Sequence, residues 1–284
     1  MGNRRTGPGS PGDVVVPYAC HETDHNTGSR MRVLTLNVQT DVGDPRRTGL
    51  INAELRRIAP DVVALQEVRS HQLAELVAGT GLHPTRQEDL LGAPPPGMER
   101  FGGTVVATRW PHHVVEVREH RPAGQGDVHW WTLAVVVAVP ALGELLFVVP
   151  TTPWQPAAEP ARVRQAREVA EIDARHRTGL PTVVAGDLNA GPDAASLRVL
   201  TGRHRFRDAW AEAGAGPGWT WSVDNPLAAA EIARVLGRSA HRARIDHVLV
   251  GPGARVRAAH LVGDRPVEGV WLSDHAGVLI ELEF

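Results

Sequence analysis

The sequence predicts a layered α/β fold in which helices pack on β-sheets. Short apolar segments bounded by Gly, Pro or polar residues alternate along the chain with segments whose apolar residues recur at helical spacing. The chain has 284 residues, of which 42% are hydrophobic, an ordinary fraction for a globular protein. The sequence contains no internal repeat and no linker-like segment after residue 30, so we expect one domain over residues 31–284.

The first elements follow a segment without periodicity. Residues 1–30 are rich in Gly, Pro and polar residues and are predicted to form a disordered leader. Segment 32–38 alternates as a strand, and segment 46–58 has apolar residues at helical spacing that stop before Pro60. The apolar segment 62–66 predicts the second strand.

The middle of the chain predicts a series of strands and then the longest helix. A short helix at 73–77 comes first, and three consecutive prolines predict a loop at 91–100. Val-rich segments then predict four strands, near 103–108, 113–119, 130–139 and 144–150. Segment 157–177 has apolar residues at helical spacing, so we expect a helix with one buried face.

The remaining elements flank a region without a pattern. A strand is expected at 181–185, and a short helix at 194–200 ends near Gly202. Segment 214–240 contains Gly, Pro and two Trp, shows no periodicity and is predicted to be irregular. Three closing strands are expected, at 244–250, 255–262 and 277–283.

Charge and cysteine content limit the class of protein. The formal net charge is -2 and the pI is about 6.7, which argues against a general DNA-binding protein but leaves a local basic groove open. Cys20 is the single cysteine, so an intrachain disulfide is excluded. No apolar run follows the basic start, and the most apolar segment, 133–139, is too short to cross a membrane. We therefore expect a monomer in the cytoplasm.

Polar side chains stand at the ends of several apolar strands, where sheet proteins commonly carry their sites. These residues are Asn37, Glu67, Asp187, Asn189, Asp246, Asp274 and His275. Most of them offer carboxylate or amide oxygens, the hard ligands that suit Mg²⁺ or Mn²⁺. The Cys and His spacing of a structural zinc site is absent from the sequence. The pattern predicts a site for a divalent cation.

Five short motifs occur in an order that resembles the endonuclease/exonuclease/phosphatase superfamily, whose fold is deoxyribonuclease-I-like. They are RVLTLN ending at Asn37, DVVALQE ending at Glu67, GDLN ending at Asn189, RIDH ending at His247 and SDH ending at His275. The resemblance implies a four-layer αββα sandwich of two packed mixed β-sheets, with helices outside and the site at one edge. It also implies Mg²⁺- or Mn²⁺-dependent hydrolysis of phosphate esters.

The resemblance implies that three residues serve the metal. Glu67 would be the main metal carboxylate, Asn37 would help it, and Asp274 would support the metal or its water shell. The metal would neutralise phosphate charge and stabilise the leaving oxygen. Asp187 would orient and deprotonate the attacking water.

The resemblance also assigns the contacts to the substrate. Asn189 would donate a hydrogen bond to the phosphoryl oxygen, and His275 would stabilise its developing charge. Asp246 would hold His275 and favour its cationic form. Trp221 lies in a segment that shapes the substrate pocket in the family, and Arg109 begins a strand-end Arg-Trp-Pro. Both are candidates for substrate contact, with a purely structural role as the alternative for each.

One position in the substrate pocket departs from the family. After the central strand the family often has a histidine that is a candidate general acid, whereas this chain has Thr152. Threonine cannot protonate a leaving group near neutral pH. Either metal-bound water replaces the acid, or the leaving group needs little help. The loss of a general acid lowers the rate of such a reaction by roughly 10²–10⁴-fold.

Three kinds of function remain open at this level. The first is a hydrolase acting on nucleic acid, a lipid head group or a small phosphate ester. The second is a binding or regulatory protein with the same fold and weakened catalysis, a reading that Thr152 motivates. The third is a non-hydrolytic biosynthetic enzyme that reuses the metal pocket.

Overall fold

The computed structural model describes residues 30–91, 101–120 and 130–284. The expected leader, apart from Arg30, and residues 92–100 of the expected loop lie outside the described residues. Within them the α-helices are α1 (Arg47–Ile58), α2 (Leu73–Val77), α3 (Glu159–His176), α4 (Ala195–Arg198), α5 (Ala209–Ala213) and α6 (Pro226–Leu236). None of these helices combines the length and the apolar character that a membrane crossing requires.

Two mixed six-stranded sheets form the centre of the molecule. The first has the order β13 (Arg255–Val262), β14 (Gly277–Glu283), β1 (Arg30–Asn37), β2 (Val62–Val68), β4 (Gly103–Thr108) and β3 (His83–Arg86). The second has the order β5 (His112–His120), β6 (Trp130–Val139), β7 (Gly143–Pro150), β8 (Val183–Asp187), β12 (Asp246–Val250) and β9 (Arg207–Asp208). A separate ribbon joins β10 (Trp221–Ser222) to β11 (Arg242–Ala243).

Side chains alternate between the two faces of each strand, and this alternation builds the layers. Val33 of β1 packs between the sheets in a cluster that includes Phe147 of β7. Its neighbour Leu34 points the other way, into a cluster with Ile51 of α1. On the far side, Val169 of α3 covers the second sheet. The order helix, sheet, sheet, helix confirms the expected four-layer αββα sandwich.

The pairing directions bring strand ends from both sheets to one edge. β1 and β2 are parallel, and Asn37 at the end of β1 pairs with Gln66 of β2. β8 and β12 are antiparallel, so that Asp187 at the end of one lies opposite Asp246 at the start of the other. Because β1 also contacts β8 across the sheets, the two sets of strand ends meet.

Segment 214–240, expected to be irregular, contains β10 and α6. Asn225 caps α6, because its side-chain oxygen accepts a hydrogen bond from Leu227 N at 3.0 Å. Pro226 occupies the first turn, and Gly237 ends the helix with φ 62°. The irregular assignment is therefore wrong for the helical part of this region.

Candidate active site

Asn37 links the two sheets at the shared edge. Its Nδ2 donates to Oε1 of Glu67 at 3.0 Å and to Oδ2 of Asp187 at 3.3 Å. Its Oδ1 accepts a hydrogen bond from the backbone N–H of Gln39 at 2.9 Å, which fixes the orientation of the amide. Asn37 is 2% exposed, so the bonds to both carboxylates form away from bulk water.

Glu67 reaches the site from a bulge in β2. Its φ is 57°, and the pairing of β2 with β4 shifts register at this point. Gly102 packs so closely against the bulge that a Cβ there would lie 2.5 Å from the carbonyl carbon of Glu67. On the other side, Thr40 N donates to the Glu67 carbonyl oxygen at 2.9 Å. The bulge is therefore held from two directions while its carboxylate meets Asn37.

The loop after β8 folds back on Asp187. The backbone N–H of Asn189 donates to Oδ1 of Asp187 at 3.0 Å, and Asn189 adopts φ 47°. Asn189 Nδ2 donates to the Thr152 carbonyl oxygen, and Thr152 Oγ1 donates to the Asp187 carbonyl oxygen, both at 3.3 Å. Thr152, which is 6% exposed, thus holds the end of β8 through its hydroxyl.

His275 lies between two carboxylates. Its Nδ1 is 2.9 Å from Oδ2 of Asp246, and its Nε2 is 3.9 Å from Oδ2 of Asp187. Burial alone would lower the pKa of His275, but Asp246, Asp187 and Asp274 together raise it well above its ordinary value. The raised pKa favours the protonated imidazole near neutral pH, in which Nδ1–H donates to Asp246.

The two carboxylates that Asn37 joins hold their protons unusually tightly. Burial raises the pKa of Glu67 to about 8, and Asp274 adds to the effect. Burial likewise raises the pKa of Asp187 to about 6, with a further contribution from Asp246. Clustered acids of this kind ionise readily only when positive charge is near. A divalent cation at this site would displace those protons.

Asp274 is fixed by the segment that contains α6. Ser273 Oγ donates to Oδ1 of Asp274 at 3.2 Å, and Asn225 Nδ2 donates to the Ser273 carbonyl oxygen at 2.8 Å. Glu231 of α6 adds a carboxyl group that the sequence did not indicate. Burial, followed by its hydrogen bond with Asp274, raises the pKa of Glu231 to about 7. Because the sequence pattern predicts segment 214–240 to be irregular, it offers no reason to place Glu231 at the site.

Trp221 and Arg109 have different positions relative to the site. Trp221 forms an isolated backbone bridge with His275, and the two ring centroids lie 6.5 Å apart at 32°. Arg109 follows β4 at the end opposite Gly103 and donates to Oδ1 of Asp61 at 2.8 Å. The structure therefore brings Trp221 to the site and leaves Arg109 a strand length away. This position does not support the prediction that Arg109 contacts the substrate, and its bond to Asp61 ties two strand ends together instead.

His247, next to Asp246, supports the site from inside the second sheet. It is fully buried, its Nδ1 accepts from Arg244 Nη1 at 2.9 Å, and its Nε2 donates to the Ala190 carbonyl oxygen at 2.9 Å. The second bond fixes the loop that follows Asn189.

Among the residues that the structure describes, two groups of donors at this edge could hold a cation. Asp187, Asp246 and His275 present ligand atoms within 4.8 Å of one another. A histidine must be neutral to ligate a metal, and the raised pKa of His275 disfavours that arrangement. Glu67 offers a hard oxygen donor on the other side of Asp187, and Asn37 would offer a second once its amide turns, because its Nδ2 faces Glu67 here. These donors fit Mg²⁺ or Mn²⁺ better.

Comparisons with known proteins agree with this fold. The model of the Endonuclease/Exonuclease/phosphatase family matches residues 34–275. TDP2 of D. rerio complexed with single strand DNA product has a TM-score of 0.70 and 17% identity, over 90% of this chain and 100% of that chain. A family protein from Bacteroides thetaiotaomicron has a TM-score of 0.69 and 19% identity, over 91% and 96%. One from Beutenbergia cavernae DSM 12333 has a TM-score of 0.62 and 26% identity, over 90% and 72%. No curated protein matches the chain.

Proposed function

The chain belongs to the endonuclease/exonuclease/phosphatase family, and we propose on this premise that it is a divalent-metal-dependent hydrolase of phosphate mono- or diesters. One observation carries the proposal: the buried imidazole of His275, whose pKa the surrounding carboxylates raise, lies 3.9 Å from the carboxylate of Asp187. An anionic phosphoryl group bound beside both would meet the cationic imidazole, and water next to it would meet the carboxylate as a base. This pairing is what phosphate ester hydrolysis requires.

Asp187 is suited to take a proton from the attacking water. Its raised pKa of about 6 leaves it ionised near neutral pH and still basic enough for general base catalysis. His275 would donate from Nε2 to a phosphoryl oxygen, since its Nδ1 is engaged by Asp246. Asn189 Nδ2, which is 3.3 Å from the Thr152 carbonyl oxygen, would turn to the same phosphoryl group.

The residues on the Glu67 side would hold the cation. Glu67 supplies the carboxylate, and Asp274 adds a second one nearby. The Asn37 amide, whose Nδ2 now donates to Glu67, would turn so that Oδ1 meets the cation. When bound, Mg²⁺ or Mn²⁺ would neutralise phosphate charge and stabilise the leaving oxygen. The tightly held proton of Glu67 in the metal-free protein supports this assignment, because a cation offers the charge that the carboxylate lacks.

Among the substrate classes, we favour a nucleic-acid strand end or a small nucleotide ester. The D. rerio relative was solved with a single strand DNA product. In this chain Trp219 is 43% exposed with the guanidinium of Arg242 5.2 Å from its ring centroid, and Trp154 is 41% exposed. Exposed aromatic rings can stack on bases. The net charge of -2 argues against a nuclease that binds along a long DNA duplex.

The test is a hydrolysis panel with purified protein and Mg²⁺ or Mn²⁺. The substrates are bis-p-nitrophenyl phosphate, single-stranded oligonucleotides, plasmid DNA and phospholipids. Asp187→Asn and His275→Ala should lose turnover, whereas Asp193→Asn, at an exposed aspartate of the loop after Asn189, should retain it. Turnover that survives both site substitutions, or no turnover on any substrate with the cation bound, would overturn the proposal. Cation binding without turnover would favour a regulatory or non-hydrolytic protein.

A further inference from the structure

Arg47, the first residue of α1, is a buried cation close to the proposed metal ligands. It is only 3% exposed. Its guanidinium donates to the carbonyl oxygens of Val38 and Val42, to that of Leu272 at 2.9 Å, and weakly to that of Gln39 at 3.5 Å. A guanidinium with several fixed donors is well suited to join backbone segments in this way.

These carbonyl groups belong to two loops that carry site residues. One loop follows Asn37 directly, and within it Thr40 N donates to the carbonyl oxygen of Glu67 at 2.9 Å. The other loop carries its acceptor two residues before Asp274. A single side chain therefore fixes the backbone beside all three proposed metal ligands, which lie far apart in the sequence.

The charge of Arg47 acts on the site through space. Among the described residues, no carboxylate forms an ion pair with its guanidinium. Burial lowers the pKa of Arg47, and Asp274, Glu67, Asp41 and Asp44 raise it. Arginine nevertheless stays charged in proteins. The carboxylates around it therefore have one permanent positive neighbour before any metal arrives.

We propose that Arg47 is a positioning residue for the metal site, which clamps the loops at 38–42 and 272–274 so that Glu67, Asn37 and Asp274 face one cation together. This inference rests on the proposed function, because it takes those residues as the metal ligands. The positive charge opposes an incoming cation, whereas the clamp arranges the ligands before the cation binds. Groups that orient metal ligands through hydrogen bonds change metal affinity by about 10–100-fold. We expect that effect to exceed the repulsion.

The test measures Mn²⁺ binding to the full chain by electron paramagnetic resonance of the free ion. Arg47→Met removes the donors and the charge, and Arg47→Lys retains the charge on a group too compact to span both loops. Arg46→Met is the matched control, because the Arg46 side chain is 58% exposed and pairs with Asp44. The Kd for Mn²⁺ should rise about 10–100-fold in both Arg47 variants and stay unchanged in Arg46→Met.

Circular dichroism establishes that each variant is folded at the temperature of the binding measurement. If Arg47→Met does not fold, Arg47→Lys with its retained charge decides the outcome. A wild-type Kd in Arg47→Lys overturns the clamp. Wild-type protein that binds no Mn²⁺ overturns the metal site together with this inference. A third outcome separates the two proposals. If the wild-type protein binds Mn²⁺ but hydrolyses no phosphate ester, and both Arg47 variants bind Mn²⁺ more weakly, the clamp is supported and only the proposed function is overturned.

Discussion

Asp187 and Asp246 lie directly opposite each other on β8 and β12, and His275 bonds to only one of them. Oδ2 of Asp246 is 2.9 Å from Nδ1 of the imidazole, whereas Oδ2 of Asp187 is 3.9 Å from Nε2. The fully buried Asp246 is therefore placed to hold the charge of His275. Asp187 forms no direct hydrogen bond with the imidazole, and its carboxylate is held by the Asn189 backbone N–H and by Asn37 Nδ2 instead.

Replacing Asp246 by Asn should separate these two roles. The substitution keeps the shape of the side chain and removes one of the charges that raise the pKa of His275. We expect kcat to fall about 10²–10⁴-fold. The alkaline loss of activity should also begin at lower pH, because the imidazole would lose its proton earlier. A pH profile of kcat with an unchanged alkaline limb would contradict this role for Asp246.

The metal-free protein should lose stability as the pH rises. A carboxyl group with a raised pKa binds its proton more tightly in the folded chain, so its contribution falls between the unfolded and folded pKa values. That window runs from 4.5 to about 8 for Glu67 and from 3.8 to about 6 for Asp187. His275 has a raised pKa, so its stabilising contribution is complete below about 6.5 and disappears as the pH passes the folded value.

A bound cation should reverse this loss. Because it replaces protons at Glu67, Mn²⁺ should raise the Tm more at pH 8 than at pH 6. Differential scanning calorimetry with a chelator or with Mn²⁺ at each pH measures the difference, and Glu67→Gln should remove most of it. An equal rise in Tm at both pH values would show that Glu67 does not exchange its proton for the cation.

Thr152 should make the reaction sensitive to the leaving group. Its hydroxyl donates to the Asp187 carbonyl oxygen and supplies no acid. We expect fast hydrolysis of p-nitrophenyl esters and slow hydrolysis of alkyl esters. Thr152→His should speed alkyl esters by up to about 10²-fold with little change for p-nitrophenyl esters, and Thr152→Ser should resemble the wild type. Equal acceleration of both ester classes by Thr152→His would contradict a missing acid.

Much of the sandwich could be predicted because apolar alternation marks its strands and polar residues mark where they end. The same signal predicts a site at Asn37, Glu67 and Asp187, which the structure brings within hydrogen-bond distance of one another through Asn37. The edge strand β3 was not predicted, because it is short and contains Pro84. Helix α6 was not predicted either, although Asn225, Pro226 and Gly237 mark both of its ends.

The remaining features depend on tertiary contacts that leave no local pattern. An arginine in the first turn of an amphipathic helix, such as Arg47, usually lies in solvent. Its burial follows from two loops that close over it. Arg109 follows a strand as the site residues do, but β4 runs antiparallel to β2, so Arg109 lies at the edge of the sheet away from the site. The direction of β4 relative to β2 cannot be predicted from the order of the strands in the sequence.

Gly102 should be required for the Glu67 bulge. Its φ of 67° costs other residues about 1–2 kcal/mol, and an added Cβ would also overlap the Glu67 backbone. We expect Gly102→Ala to lower the free energy of unfolding by more than about 2 kcal/mol and to weaken Mn²⁺ binding. Gly81→Ala is the control, with φ 73° and no atom within 4 Å of the new Cβ. Similar losses in urea unfolding for both variants would contradict a special role for Gly102.

Asn225 should link helix capping to the site. Its oxygen caps α6, and its Nδ2 holds the Ser273 carbonyl oxygen at 2.8 Å. Asn225→Asp retains the capping acceptor and loses the donor, whereas Asn225→Ala loses both. We expect Asn225→Ala to cost about 1 kcal/mol of unfolding free energy more than Asn225→Asp, while both lower turnover. Wild-type turnover in Asn225→Asp would show that the site does not depend on this tether.

The central claim is that water attacks phosphorus with help from Asp187, and isotope transfer tests it most directly. Single turnover of a phosphate ester in ¹⁸O-labelled water with Mn²⁺ would be followed by mass spectrometry of both products. The account predicts one ¹⁸O in the phosphate product, an unlabelled alcohol, and a rate about 10²–10⁴-fold lower in Asp187→Asn. Label in the alcohol, no label in the phosphate product, or an undiminished rate in Asp187→Asn would contradict it.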